Sequence, residues 1–422
     1  MSPVRTLPTG SLRTAVVMAV LLAAGGVLPT APAAASETAA KTARETTTAA
    51  ACAGAADFDG DGADDVAVGD PFGDGRKGSV HLLSGAKVTP VAVPGPVKGD
   101  GLGWSVRLAD VNGDSCADLL IGAPFADVDG EQDAGSVYVV YGGKAAPPQR
   151  LTAPQPQRFA HFGWSLAARG DLTVIGAPYE DDGQIEDAGA IYVRQGSDAL
   201  RRISQETVDV RGNSEVGDQF GWSLAIGPRN GLVVGVPYEN DDGAGRQVQA
   251  GKIDSGSVVF IDDVLAPRIV SLKLDSPTKA SGDRYGYAVA YAEGNGYAVS
   301  APGPGYVQLL DLGRRQTRML KQGGRQAFGF SMAASSDGRL AVGAPYGGGV
   351  QVFSWKNPAD DRKLPAAEGL FGWSVAFSGN KLFVGQPDGP PYGKVAVAPR
   401  NADDVQSVQP PKGTDFGTSL AG

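Results

Sequence analysis

Only two cysteines and two histidines occur among the 422 residues. His81 and His161 lie far apart, each beside a strand-like run, so a packing or surface role is expected of them rather than catalysis. There is no Gly-x-Ser-x-Gly, no His-Glu-x-x-His and no phosphate-cradling glycine loop, so the common hydrolase and nucleotide signatures are absent. Positive charge is also short: 37 Lys and Arg face 46 Asp and Glu, for a net charge of -9, which disfavours nucleic acid and anionic membrane surfaces as partners. No stretch shows the 3.6-residue apolar period of a helix. The one long apolar run, residues 15–28, is too short for an ordinary membrane span.

That run has the layout of a secretion signal. Arg5 and Arg13 precede it, and Ala33-Ala34-Ala35 offers a cleavage site before Ser36. Residues 1–35 are therefore expected to be a signal peptide, residues 36–50 an Ala/Thr-rich disordered leader, and residues 51–422 the folded domain of a secreted, extracellular protein with no membrane span. Cleavage would remove two basic and no acidic residues, leaving the mature chain more acidic still. In an exported protein the pair Cys52 and Cys116 suggests one disulfide.

The chain is repetitive. Phe162-Gly-Trp-Ser-Leu166 recurs unchanged as Phe220-Gly-Trp-Ser-Leu224, with variants starting at Leu102, Tyr285, Phe328, Phe371 and Phe416. A second motif follows the first six copies: Gly122-Ala-Pro124, Gly176-Ala-Pro178, Gly235-Val-Pro237, Ser300-Ala-Pro302, Gly343-Ala-Pro345 and Gly385-Gln-Pro387. A third is a glycine before a short apolar run, as at Gly135, Gly189 and Gly256. Repetition at this period marks an array of one supersecondary unit. The pentad alternates large and small residues, which predicts a strand with Phe162, Trp164 and Leu166 on one face and Gly163 and Ser165 on the other. This placing makes Trp104, Trp164, Trp222 and Trp373 core residues. Further apolar runs and Gly- or Asn-bearing turns complete four antiparallel strands per unit.

The predicted fold is all-β: a seven-bladed β-propeller of four-stranded antiparallel blades. The first unit lacks a pentad and the last pentad, Phe416-Gly-Thr-Ser-Leu420, has nothing after it. The two halves are complementary, so the ring is expected to close by the C-terminal strand completing blade one.

Two acidic loops carry metal-ligand spacing. Asp57, Asp59, Asp61 and Asp65 alternate with glycines, and the carbonyl of Ala63 adds a further oxygen. Asp110, Asn112, Asp114 and Asp118, with the carbonyl of Cys116, repeat the pattern. Such runs of oxygen ligands around a sharp turn suit Ca²⁺, as in an EF-hand loop without its helices. A second acidic set falls between the second and third strands of blades two to four: Asp127, Asp129, Glu131 and Asp133; Glu180, Asp181, Asp182, Glu186 and Asp187; Glu239, Asp241, Asp242 and Asp254. In an antiparallel blade these loops lie opposite the metal loops, where they could receive a cationic partner, bind further cations, or simply form a solvated rim. Arg169-Gly170-Asp171 spells an adhesion tripeptide but falls at a predicted hairpin, where Gly and Asp serve the turn.

The three motifs in order, with the Asp-x-Asp-x-Asp-Gly loop, resemble the FG-GAP repeats of the integrin α-subunit propeller and its secreted bacterial relatives. The resemblance covers nearly all of residues 55–422. It implies a seven-bladed propeller with Ca²⁺ in the loops between first and second strands, held by Asp57, Asp59, Asp61 and Asp65 and by Asp110, Asn112, Asp114 and Asp118. It also implies adhesion or protein recognition through the opposite face. Only two blades keep the loop, and nothing resembles an integrin leg, membrane helix or tail. The expected function is a non-catalytic, calcium-binding module, monomeric, recognising a protein or surface glycan. The alternatives are an extracellular hydrolase using carboxylates of the acidic face or central pore, and a purely structural wall- or matrix-associated domain.

Overall fold

In the computed structural model, residues 52–422 are described apart from 86, 144–145, 241–250, 323, 325, 365, 400–404 and 411. The expected signal segment and leader lie outside these residues, as do Asp241 and Asp242. The chain forms seven four-stranded antiparallel sheets, arranged as the blades of a β-propeller. Blade three shows the unit: Ser165–Arg169, Leu172–Ala177, Ala190–Gln195 and Arg201–Ile203 pair in that order. Helix is confined to short turns such as Gly73–Arg76. In blade one, Val66–Asp70 pairs with Ser79–Ser84 on one side and with Ser419–Ala421, from the far end of the chain, on the other. No helix among the described residues is long and apolar enough to cross a membrane.

The pentad is not the uninterrupted strand that its alternation predicts. Its glycine has φ of +94° at Gly163 and +96° at Gly221, and the strand begins only at the serine. The turn sends the flanking residues to different places, so Phe and Trp do not share a face. Phe162, Phe220, Phe328 and Phe416 are essentially fully buried between blades. Phe162, for example, packs with Val137, Val139, Ile175 and Tyr192. Burying such a ring contributes about 1.5–3 kcal/mol. The tryptophans are half-buried instead, at the axis.

The three motifs meet at one joint between consecutive blades. A Cβ on Gly122 would lie 2.1 Å from the carbonyl oxygen of Gly163 in the next blade, and one on Gly176 would lie 2.3 Å from that of Gly221. A Cβ on Gly135 would meet the carbonyl of Phe162 at 2.2 Å. The pentad serine ties the joint: Ser105 Oγ donates to Gly163 O at 2.7 Å, and Ser165 Oγ to Gly221 O at 2.7 Å. The same contact joins blade one to blade two, where Ser419 Oγ donates to Gly103 O at 2.7 Å.

Candidate functional site

Two loops between first and second strands fold alike. In the first, Asp57 Oδ1 accepts from Gly60 N at 2.8 Å, Asp59 Oδ1 from Asp61 N at 3.1 Å, Asp61 Oδ1 from Ala63 N at 2.8 Å, and Asp65 Oδ2 from Phe58 N at 3.0 Å. In the second, Asp110 Oδ1 accepts from Gly113 N at 2.7 Å, Asn112 Oδ1 from Asp114 N at 2.9 Å, Asp114 Oδ1 from Cys116 N at 3.0 Å, and Asp118 Oδ2 from Val111 N at 3.0 Å. Each side chain closes a local turn, and together they curl each loop around its own carboxylates. Oxygens of Asp57, Asp59 and Asp61 lie within 4.8 Å of one another. Asp65 is fully buried, and its Oδ1 has no hydrogen-bond partner among the described residues. A buried carboxylate oxygen with no donor, beside three more acids, is what a hard cation would satisfy. Burial raises the Asp65 carboxyl above its ordinary value, with Asp59 and Asp61 adding to the effect. Burial pushes Asp118 up to about 6 despite the N–H groups of Gly142 and Val111. Ala63 and Cys116 stand at matching positions, so their carbonyls could complete the two sets. The disulfide Cys52–Cys116 joins the start of the described domain to the second loop.

The opposite mouth of the axis is aromatic. The third residue of successive pentads forms an arc in which ring centroids are 4.8 Å apart for Trp104–Trp164, 5.0 Å for Trp164–Trp222 and 5.5 Å for Trp222–Tyr287. It continues at 5.4 Å for Tyr287–Phe330 and 4.6 Å for Phe330–Trp373. Thr418 holds the seventh pentad position. Phe125, Tyr179 and Tyr238, each directly after the proline of the second motif, pack edge-on against these rings. His161 joins them: its Nδ1 is 3.0 Å from Pro124 O and its ring contacts Phe125 and Tyr179, while burial lowers its pKa. The sequence signal for this arc was present, an aromatic third residue in six of the seven pentads, but strand alternation assigned those rings to the core.

An FG-GAP repeat model matches residues 102–140, and a second FG-GAP repeat model matches residues 148–194. Integrin alpha-PS2 of Drosophila melanogaster is 34% identical over 33% of this chain, and human integrin alpha-7 is 32% identical over 36%. The chain carries FG-GAP repeats and is similar to integrin α proteins over that region. The matched region spans only 11% and 13% of those two relatives' own lengths. Among solved structures, a streptogramin B lyase aligns with a TM-score of 0.52 at 8% identity, covering 75% of this chain and 85% of that one. Virginiamycin B lyase from Staphylococcus aureus aligns with a TM-score of 0.50 at 9% identity, over 72% and 84%. At such identity the likeness concerns the propeller fold alone.

In this FG-GAP propeller the second acidic set divides in two. Glu180 and Glu239 are buried. Glu180 pairs with Arg202 and accepts from Tyr192 Oη at 2.7 Å, while Glu239 lies 2.8 Å from Lys273 Nζ. They are internal groups, not part of an open acidic rim. Asp127, Asp129, Glu131 and Glu186 are exposed, and Asp133, Asp187 and Asp254 are half-buried. Asp133 and Asp187 act electrostatically on His161, and Asp254 on Tyr238, which sets this collar of carboxylates beside the aromatic arc. The tripeptide at Arg169 serves the structure: its guanidinium pairs with Glu293 at 2.8 Å and donates to Gly227 O at 3.1 Å. The axial channel, 320 Å³, is lined by inner-strand residues including Arg107, Arg169, Met332 and Phe377.

Proposed function

We propose that the chain is an exported, Ca²⁺-stabilised, non-catalytic recognition module that acts as a monomer and takes a cationic segment of a partner protein at its aromatic mouth. The observation that carries this is the arc of six rings from Trp104 to Trp373, with carboxylates on the same side of blades two to four. Ring faces attract a desolvated guanidinium or ammonium by about 0.5–2 kcal/mol each, and nearby carboxylates add steering. Asp57, Asp59, Asp61, Asp65 and the Ala63 carbonyl would hold one Ca²⁺, and Asp110, Asn112, Asp114, Asp118 and the Cys116 carbonyl a second. Bound Ca²⁺ would offset two of the negative charges in each loop and hold its blade edge rigid. Hydrolysis with paired carboxylates at the axis finds no support: among the described channel-lining side chains the carboxylate is Glu293, engaged by Arg169.

The test is titration with an arginine-rich and a glutamate-rich peptide, followed by tryptophan fluorescence. The arginine-rich peptide should bind, and Trp222→Ala should weaken it about tenfold, the equivalent of 1.4 kcal/mol. Equal binding of both peptides, or none, overturns the proposal. Binding of neutral oligosaccharides instead would transfer the role to a surface glycan, which stacked indoles also accommodate.

A further inference from the structure

The inner strands carry an internal comparison. Two residues beyond the fourth position of each pentad stand Ala167, Ala225, Ala290, Ala333, Ala376 and Ala421 in six blades. Blade two has Arg107 there, within its strand Ser105–Ala109. All seven residues line the axial channel. A ring of methyl groups is thus broken by one guanidinium.

The repeat does not require a charge at this position, since six blades do without one. Nor does the fold engage it. Among the described residues the Arg107 guanidinium has no hydrogen bond, ion pair or aromatic ring, and neither Glu293 nor Gly422, the last residue of the chain, pairs with it across the channel. Channel water reaches the side chain, so it counts as exposed, yet the surrounding protein lowers its pKa by desolvation. Part of its hydration has been replaced by groups that offer no acceptor, which leaves its five N–H donors for a ligand. Arg169, the other cation of the channel lining, shows the contrast. It pairs with Glu293 at 2.8 Å, donates to Gly227 O at 3.1 Å and lies over the Tyr291 ring at 5.7 Å.

We propose that the axial channel is an oxyanion site anchored by Arg107, and that its ligand is a small free anion of carboxylate or sulfate type. The planar guanidinium pairs two oxygens of one such group through parallel N–H donors, and the reduced dielectric of the channel strengthens the pairing. The channel volume of 320 Å³ lies at the lower end of the range of about 300–1,000 Å³ common to small-molecule sites, so the ligand is small. Arg169, Glu293, Ser335 and Ser336 line the channel at the turns from first to second strands, which sets its opening on the side of the two acidic loops. The aromatic arc lies at the other end of the axis, so the anion does not compete with a cationic segment there.

The experiment is isothermal titration calorimetry of the full chain with succinate, with sulfate and with uncharged succinamide. Succinate and sulfate should bind once per chain, and succinamide should not bind. Arg107→Ala installs the residue that the other six blades use, so it should fold, and it should weaken both anions by about tenfold or more. Arg107→Lys, which keeps the charge but loses the fork of donors, should fall between. No anion binding by the wild-type chain, or unchanged affinity in Arg107→Ala, overturns the proposal and leaves Arg107 as filling of the channel. Binding of a glutamate-rich peptide through Arg107 where succinate and sulfate fail would overturn the free-anion assignment. Should Arg107→Ala not fold, Glu293→Gln decides: removing the acidic side chain of the channel frees Arg169 and should tighten succinate by about threefold or more. Unchanged or weaker binding in Glu293→Gln would then overturn the site.

Discussion

Each pentad glycine has φ near +90°, from Gly103 at +90° to Gly417 at +97°, a region that side chains with a Cβ avoid. The second-motif glycine is needed for a different reason, the backbone of the next blade lying against its Cα. Blade five is the exception that explains the rule. Ser300 replaces that glycine, Ala288 replaces the pentad serine, and Ala288 N now donates to Ser300 Oγ at 2.9 Å. The hydroxyl has moved across the strand pair. Gly176→Ser alone should therefore destabilise by about 1–3 kcal/mol, because a Cβ there meets Ser165 Oγ at 2.2 Å. Adding Ser165→Ala should recover part of the loss, a coupling of about 0.5–1.5 kcal/mol in a double-mutant cycle read by thermal or denaturant unfolding. Additive effects would mean that the joint does not work this way.

At the scale of the element, the two acidic loops were legible because their geometry is local. Asp or Asn at alternate positions, with glycines between, closes successive turns on its own residues whatever the rest of the chain does. Addition of Ca²⁺ should raise the unfolding midpoint, and Asp59→Ala/Asn112→Ala should abolish most of the rise. The pH dependence follows from Asp118, whose folded-state value of about 6 lies above the unfolded one. Without metal, the folded protein holds this proton more tightly than the unfolded chain does. The associated stability is thus present below about pH 4 and lost as pH rises through about 6. A bound cation replaces the proton, so the Ca²⁺-induced shift in Tm should be larger at about pH 7.5 than at about pH 5. Asp118→Asn should remove that difference. The disulfide closes a separation of 64 residues, for which chain entropy gives about 4 kcal/mol. Cys52→Ser/Cys116→Ser should lose about 2–5 kcal/mol and weaken Ca²⁺ at the second loop, which contains Cys116.

Over the whole molecule, the seam between blade one and blade two uses the same serine and glycine contact as the other joints, although its partners come from opposite ends of the chain. Asp70 adds a clasp: its fully buried carboxylate accepts from Thr414 N at 2.9 Å and Asp415 N at 3.0 Å. Ending the chain at Lys412 should leave Val66–Asp70 without its inner neighbour and broaden or lower the unfolding transition, read by circular dichroism with size-exclusion chromatography. The sequence by itself determined the repeat, the four strands per blade, the blade number and the two acidic loops. All of these depend on spacing within a unit, which the chain writes out directly. Tertiary structure alone decided where the pentad aromatics go and which acids are partnered. A left-handed glycine between Phe and Trp sends one ring between blades and the other to the axis, and only the packing of consecutive blades brings the tryptophans into contact. Likewise Glu180 finds Arg202 and Glu239 finds Lys273, pairings set by neighbours across strands and invisible in either acid's own sequence context.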